Sequence, residues 1–158
     1  MNSITDQGAL GWLTPRRIEV IRLIANGKKN LVIAAELGIS VKTVETHRMF
    51  IYGKLQVHNI AQLIRAAMRL KIELWPADPA AASEKLPEPP RLTPRQSEIF
   101  RLLLDGKENH QIAAQLFVAR ATVDAHRDTI YKIYRVHGIA ELIREAVKFR
   151  LLAVDQAA

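Results

Sequence analysis

The chain has 158 residues, a formal net charge of +7 and no cysteine, so it can hold one ordinary domain or two small ones, and a disulfide framework and thiolate metal sites are excluded. An apolar share of 49% with 6% aromatics fits a folded, aliphatic-rich protein, and no apolar run reaches the ~18–20 residues of a membrane span. The surplus of Lys and Arg points to a polyanionic partner, nucleic acid ahead of an anionic membrane.

Met1 to Leu10 lacks a charged-then-apolar signal pattern, and a cytoplasmic location, nucleoid-associated on DNA, is expected by elimination. Thr14-Pro15 reads as an N-cap followed by proline in the first helical turn. The helix they open runs to about Asn26 and stops at Gly27, with Ile18, Ile21, Leu23, Ile24 and Ala25 as its buried stripe. A short second helix, about Asn30 to Leu37, carries Ile33, Ala34 and Leu37 at helical spacing. In the turn that follows, Gly38 can take positive φ and Ser40 can cap a third helix from Val41 to about Leu55, which buries Val44, Ile51 and Leu55. Asn59 then caps a fourth helix bearing Ile60, Leu63, Ile64, Ala67 and Leu70. No segment alternates with period two, so the expectation is all-α.

Residues 76–90 contain Pro76, Pro79, Pro87, Pro89 and Pro90, a density that favours an extended, semi-rigid linker reaching ~45 Å at ~3.1 Å per residue. Beyond it the first pattern returns 79 positions later, from Leu92-Thr93-Pro94-Arg95 through Gly106-Lys107, Ile112-Ala113-Ala114, Thr122-Val123, His126-Arg127, Val136-His137 and Leu142-Ile143-Arg144. About 28 of about 62 aligned positions are identical without a gap, which marks an internal duplication. Two copies are too few for a solenoid, so each is expected to bury its own core. The layout expected is two four-helix helix-turn-helix domains, 11–75 and 91–154, in tandem about a Pro-rich linker at 76–90.

Within each copy, a short helix, a tight turn and a long basic helix make a helix-turn-helix. Leu13-Thr14-Pro15-Arg16, Gly27-Lys28, Ile33-Ala34, Leu37, Ile39-Ser40, Lys42-Thr43-Val44, His47, Ile51, Lys54-Leu55 and Val57 together resemble the LuxR/FixJ-type (GerE-like) helix-turn-helix domain. The resemblance implies a four-helix DNA-binding domain of transcriptional regulators, usually dimeric and attached to a sensor or receiver, whose third helix enters the major groove. Lys42, Thr43 and Arg48 would then mostly grip phosphates while Glu45, Thr46 and Met49 face base edges. The chemistry agrees: a helix N-terminus with Lys and Thr suits a phosphate. A Glu can accept from cytosine N4, and a Thr methyl can meet a thymine methyl. An ordinary solvated helix face is the plainer reading of Glu45 and Met49.

The copies differ where they should touch DNA. Ala119 and Phe117 replace Ser40 and Gly38, and Asp124, Ala125 and Asp128 replace Glu45, Thr46 and Met49. Arg120, Thr122, Asp124, Arg127 and Asp128 are the second copy's candidate DNA contacts. Residues 13–75 carry 11 basic and 4 acidic side chains against 11 and 7 in 91–154, so the first copy is expected to be the stronger reader. The family dimerises through its fourth helix. Arg65 and Arg69 in one copy and Glu141 and Glu145 in the other have signs that favour pairing the copies with each other; two solvated faces are the alternative.

No nucleophile with its base, phosphate-binding loop or metal-ligand spacing occurs, so the expectation is no enzyme, no cofactor and no metal. The function expected is sequence-specific regulation of transcription on double-stranded DNA, with no sensor in the chain. Further partners are the chain itself, as an intramolecular pseudo-dimer or a homodimer, or another regulator. The principal alternative is an interaction protein that pairs with another regulator through its helix-turn-helix domains; a sigma-factor-like promoter reader fits the Thr-Val-x-x-His register less well.

Overall fold

A computed structural model describes residues 10–76 and 88–152. The expectations that fell on the N-terminal segment and on most of the linker lie outside these residues. Among the described residues the architecture is all-helical. The first repeat contains α1 (Pro15–Ala25), α2 (Asn30–Leu37), α3 (Val41–Leu55) and α4 (Ile60–Arg69). The second contains α5 (Pro94–Leu104), α6 (Asn109–Leu116), α7 (Arg120–Tyr134) and α8 (Ile139–Lys148). None of these helices is long and apolar enough to cross a membrane.

Local chemistry sets the helix ends. The Thr14, Ser40 and Asn59 side chains accept the backbone N–H groups of Arg17, Thr43 and Gln62, so each cap satisfies one otherwise unpaired amide. Thr93 and Gln96 form a reciprocal capping box at the start of α5. Ala119 caps α7 with no side-chain bond. Gly38 ends α2 at φ +63°, in the left-handed region, and Phe117 takes the same conformation at +54° without a glycine's freedom.

The LTPR arginine has a structural role that the sequence reading did not assign. Arg16 donates to the carbonyl of Leu37 (2.5 Å), and Arg95 donates to that of Leu116 (3.0 Å). Each arginine ties the first helix of its repeat to the C-terminal end of the second, just before the turn that leads into the third.

Packing modifies two expectations. Val20, absent from the anticipated stripe, is fully buried, while Ile18, Leu23 and Leu55 are only half-buried. The two repeats also do not bury separate cores: their buried side chains form one continuous cluster. The join is α4 against α8, each burying a row of small and branched residues, Ala61, Leu63, Ile64 and Ala67 on one and Ala140, Leu142, Ile143 and Ala146 on the other. A bundle of about 60 residues gains from this, since small domains bury a low fraction of their surface alone.

Candidate nucleic-acid interface

In the first repeat α3 is anchored by Val44 and Ile51, both fully buried. With 3.6 residues per turn, that anchoring turns Lys42, Glu45, Thr46 and Met49 to the outside. Lys42 is 87% exposed at its side chain, and Met49 is 78% exposed. Lys42 Nζ lies 4.0 Å from Glu45 Oε2, a loose surface pair. Thr46 donates its hydroxyl to the Lys42 carbonyl (3.0 Å), so its methyl is the group left to face outward. Thr43 is bonded into the cap, with its hydroxyl 2.8 Å from Ser40 Oγ.

Arg48 stands on the flank. It donates to Asn30 Oδ1 at 2.9 Å, and its guanidinium lies 5.5 Å from the Tyr52 ring centroid. Asn30 and Tyr52, which the sequence reading did not single out, thereby position the arginine. Burial pushes the Tyr52 hydroxyl above its ordinary 10.0, against the opposing pull of the Arg48 charge. Asn30, Lys42, Glu45, Thr46, Arg48, Met49 and Tyr52 line one shallow, open concavity. All six first-repeat candidates lie on α3, with five lining this surface and Thr43 held in the cap.

The second repeat keeps the same frame with different wiring. Val123 and Ile130 anchor α7, and Arg120 and Thr122 are exposed. Here the amide of the residue equivalent to Asn30, Asn109, hydrogen-bonds Asp124 instead of holding an arginine. The carboxylate expected to face bases is therefore half-buried and engaged. Arg127 lies 3.7 Å from Asp128 and stacks 5.7 Å from the Tyr131 centroid. Part of its charge is thus spent within the protein. Phe117, 95% exposed, projects from the turn before α7.

The fourth helices meet, but the four charges expected to pair across them have other neighbours. Arg65 bonds Asp105 (2.9 Å) and the Leu104 carbonyl (3.4 Å), both in the facing repeat. Glu141 accepts the backbone N–H of His137 (2.9 Å), Glu145 pairs with Lys148 (2.8 Å), and Arg69 is exposed. Among the described residues no ion pair joins Arg65 or Arg69 to Glu141 or Glu145. The physical reason is local: Glu141 sits in the first turn of α8, where free amides capture a carboxylate, and Arg65 reaches past the helix to the turn after α5.

That turn is where the repeats grip each other. The Asn59 and Gln62 amides both donate to the Gly106 carbonyl, at 2.9 and 3.4 Å. Gly106 has φ +76°, and a Cβ there would lie 2.7 Å from Gln62 Cγ. Its counterpart Gly27 faces Ala140 with room to spare, 3.8 Å for the same added atom. Among the described residues no hydrogen bond crosses on that side, and Arg144 Nε is buried without a partner. The signal in the sequence was available at Asp105, which replaces Asn26, and at Gln62, which Glu141 replaces in the second copy.

A 60-residue stretch is 50% identical to the uncharacterized response regulatory protein YgeK of Escherichia coli, covering 38% of this chain and 41% of that protein. Another 60-residue match, 40% identical, is to the oxygen regulatory protein NreC of Staphylococcus carnosus, over 38% of this chain and 28% of that one. A putative HTH-type transcriptional regulator of Mycobacterium bovis is 41% identical over 63 residues, 39% of this chain and 7% of its own length. The chain thus spans well under half the length of these relatives. No solved structure gives a significant match. The family described as bacterial regulatory proteins, luxR family, matches twice, at residues 12–67 and 90–146. The chain therefore belongs to the luxR family of bacterial regulatory proteins and carries its helix-turn-helix domain in tandem.

Proposed function

We propose that the protein is a sequence-specific regulator of transcription that reads duplex DNA with α3 and α7, presented by two repeats paired within one chain. The repeats are residues 11–75 and 91–154, joined by 76–90, and the work is done in the cytoplasm. The observation that carries the reading is the outward face of α3: a Ser-capped N-terminus, exposed Lys42, Glu45 and Met49, and Arg48 held beside them by Asn30 and Tyr52. A capped helix end with Lys and a positioned Arg can grip phosphates. Glu45 can accept from cytosine N4, and Met49 and the Thr46 methyl offer apolar contact to a thymine methyl. Each good base contact is worth about 1–3 kcal/mol of discrimination.

Pairing through α4 and α8 gives one chain two recognition helices, where regulators with a single such domain need two chains. Because Asp124 is engaged by Asn109 and Arg127 lies beside Asp128, α7 offers fewer free contacts, and the first repeat supplies most of the affinity. The operator should have two unlike halves. Selection from a random duplex library with the intact chain tests this: an enriched site with one dominant and one weaker half is expected, while a perfect palindrome would contradict the asymmetry.

A second reading, that α7 docks on another regulator, is favoured by one observation, the outward Phe117 held in left-handed backbone. Under that reading the selected site has a single half, and Phe117→Gly leaves DNA affinity unchanged.

A further inference from the structure

The first repeat carries a cluster on the other flank of α3 that the second lacks. Arg17, at the start of α1, lays its guanidinium 3.9 Å from the Phe50 ring centroid. Lys54 Nζ approaches the same ring at 5.6 Å. Arg17 Nη1 donates to the Trp12 carbonyl (2.5 Å), and Trp12 itself packs 6.2 Å from Phe50, centroid to centroid. Arg17 Nε is buried without a partner. Thr46, Phe50 and Lys54 are spaced by four residues, so they form one row along α3, starting at a side chain of the proposed base-reading face.

Two cations thus gather at one ring, and among the described residues neither is paired with a carboxylate. The arrangement costs something locally. At the equivalent position the second repeat has Gln96, which closes the capping box by accepting the Thr93 N–H at 2.9 Å, a bond that an arginine cannot make. Phe50 and Lys54 correspond to Thr129 and Ile133. Thr129 turns its hydroxyl back to the Ala125 carbonyl (3.0 Å), and Ile133 packs against the core. The second repeat has a better cap and no charge at the positions of Arg17 and Lys54, although Arg91 stands at the position of Trp12.

Resting on the reading of α3 as the DNA-facing helix, we infer that Arg17, steadied by Phe50 and joined by Lys54, is a phosphate-gripping site peculiar to the first repeat. Its ligand is a phosphodiester of the strand bordering the groove that α3 enters. Stacking on the aromatic face and the bond from Nη1 to the Trp12 carbonyl hold the Arg17 guanidinium in place, and Nη2, which has no bond among the described residues, is left to donate to a phosphate oxygen. Arg48 with Tyr52 on the opposite flank grips the other strand, so α3 is clamped on both sides. The equivalent flank of α7 has Gln96 in place of the stacked arginine.

The test is the salt dependence of binding by the full-length chain. A fluorescent duplex carrying the selected site is titrated between 50 and 200 mM salt with wild type, Arg17→Gln, Arg17→Lys and Lys54→Gln. Each phosphate contact contributes about 0.9 to the slope of log K against log salt. Arg17→Gln, which installs the second repeat's residue, should flatten the slope by about 0.9. Across that salt range it should then lose about threefold less affinity than wild type. Lys54→Gln should flatten the slope likewise, and Arg17→Lys should keep it. Weaker binding by Arg17→Gln at an unchanged slope would show a packing role and overturn the inference, as would an unchanged Lys54→Gln slope should Arg17→Gln fail to fold. If wild type binds no duplex at all, the DNA reading fails and this inference with it; if wild type binds and the slopes are alike, only the inference fails.

Discussion

Replacing each of two equivalent glycines by alanine separates the cost of backbone strain from the cost of breaking the contact between repeats. Gly27 and Gly106 both follow the first helix of their repeats and both have left-handed φ, +74° and +76°. An alanine at either pays about 1–2 kcal/mol for that conformation. Only at Gly106 does the new methyl also meet the other repeat, 2.7 Å from Gln62 Cγ and 3.3 Å from Asn59 Oδ1. Relieving such overpacking typically costs a further 1–3 kcal/mol, and the shift would stretch the Asn59 and Gln62 bonds to the Gly106 carbonyl. Urea denaturation followed by circular dichroism should find Gly106→Ala less stable than Gly27→Ala by about 1–3 kcal/mol. With Gln62→Ala added to both variants, the Cγ clash is gone and the gap between the two alanines should narrow. Equal losses in the two single variants would refute the reasoning, because the repeats would then not be packed through this turn.

Other expectations are simpler. Arg48→Ala should weaken binding to all duplex sequences and flatten the salt slope by about 0.9, measured by anisotropy; a change confined to one base position would mean that it reads a base. Ala119→Ser restores the cap that α7 lacks and should stabilise the chain by about 0.5–1 kcal/mol, seen as a higher denaturation midpoint. All three tyrosines, Tyr52, Tyr131 and Tyr134, have hydroxyls pushed above the ordinary 10.0 by burial. The folded state therefore holds these protons more tightly than the unfolded chain. The stability this gives is complete below pH 10 and is lost as pH rises through the higher folded values. Ultraviolet titration of tyrosinate should show a midpoint above 10 that returns to about 10 in urea, and an unshifted native midpoint would contradict the burial.

Helix positions were legible in the sequence because their signals are local. Thr14, Ser40, Asn59 and Thr93 are caps within three residues of the amides they satisfy, and the glycines at 27, 38 and 106 take positive φ. The outward face of α3 was legible too, since Val44 and Ile51 fix which residues turn away from the core. What the sequence hid depends on distance. Arg16 reaches Leu37, and Arg65 reaches Asp105 in the other repeat. Reading charge signs along the fourth helices set Arg65 and Arg69 against Glu141 and Glu145, whereas Arg65 and the two glutamates take other neighbours. A helix-to-helix sign match ignores the free amides and turn carbonyls that compete for the same groups. Asn30 shows the same limit: its identical counterpart Asn109 takes a different partner because Asp124, one methylene shorter than Glu45, lies within its reach.

Whether α3 reads sequence is decided by the affinity of the full-length chain for its selected duplex against a scrambled duplex of equal length at the same salt. A dominant contribution from α3 predicts a preference of a thousandfold or more, on the order of that between specific and non-specific binding, falling steeply as salt rises. Equal affinity for both duplexes, or none for either at low ionic strength, would contradict it.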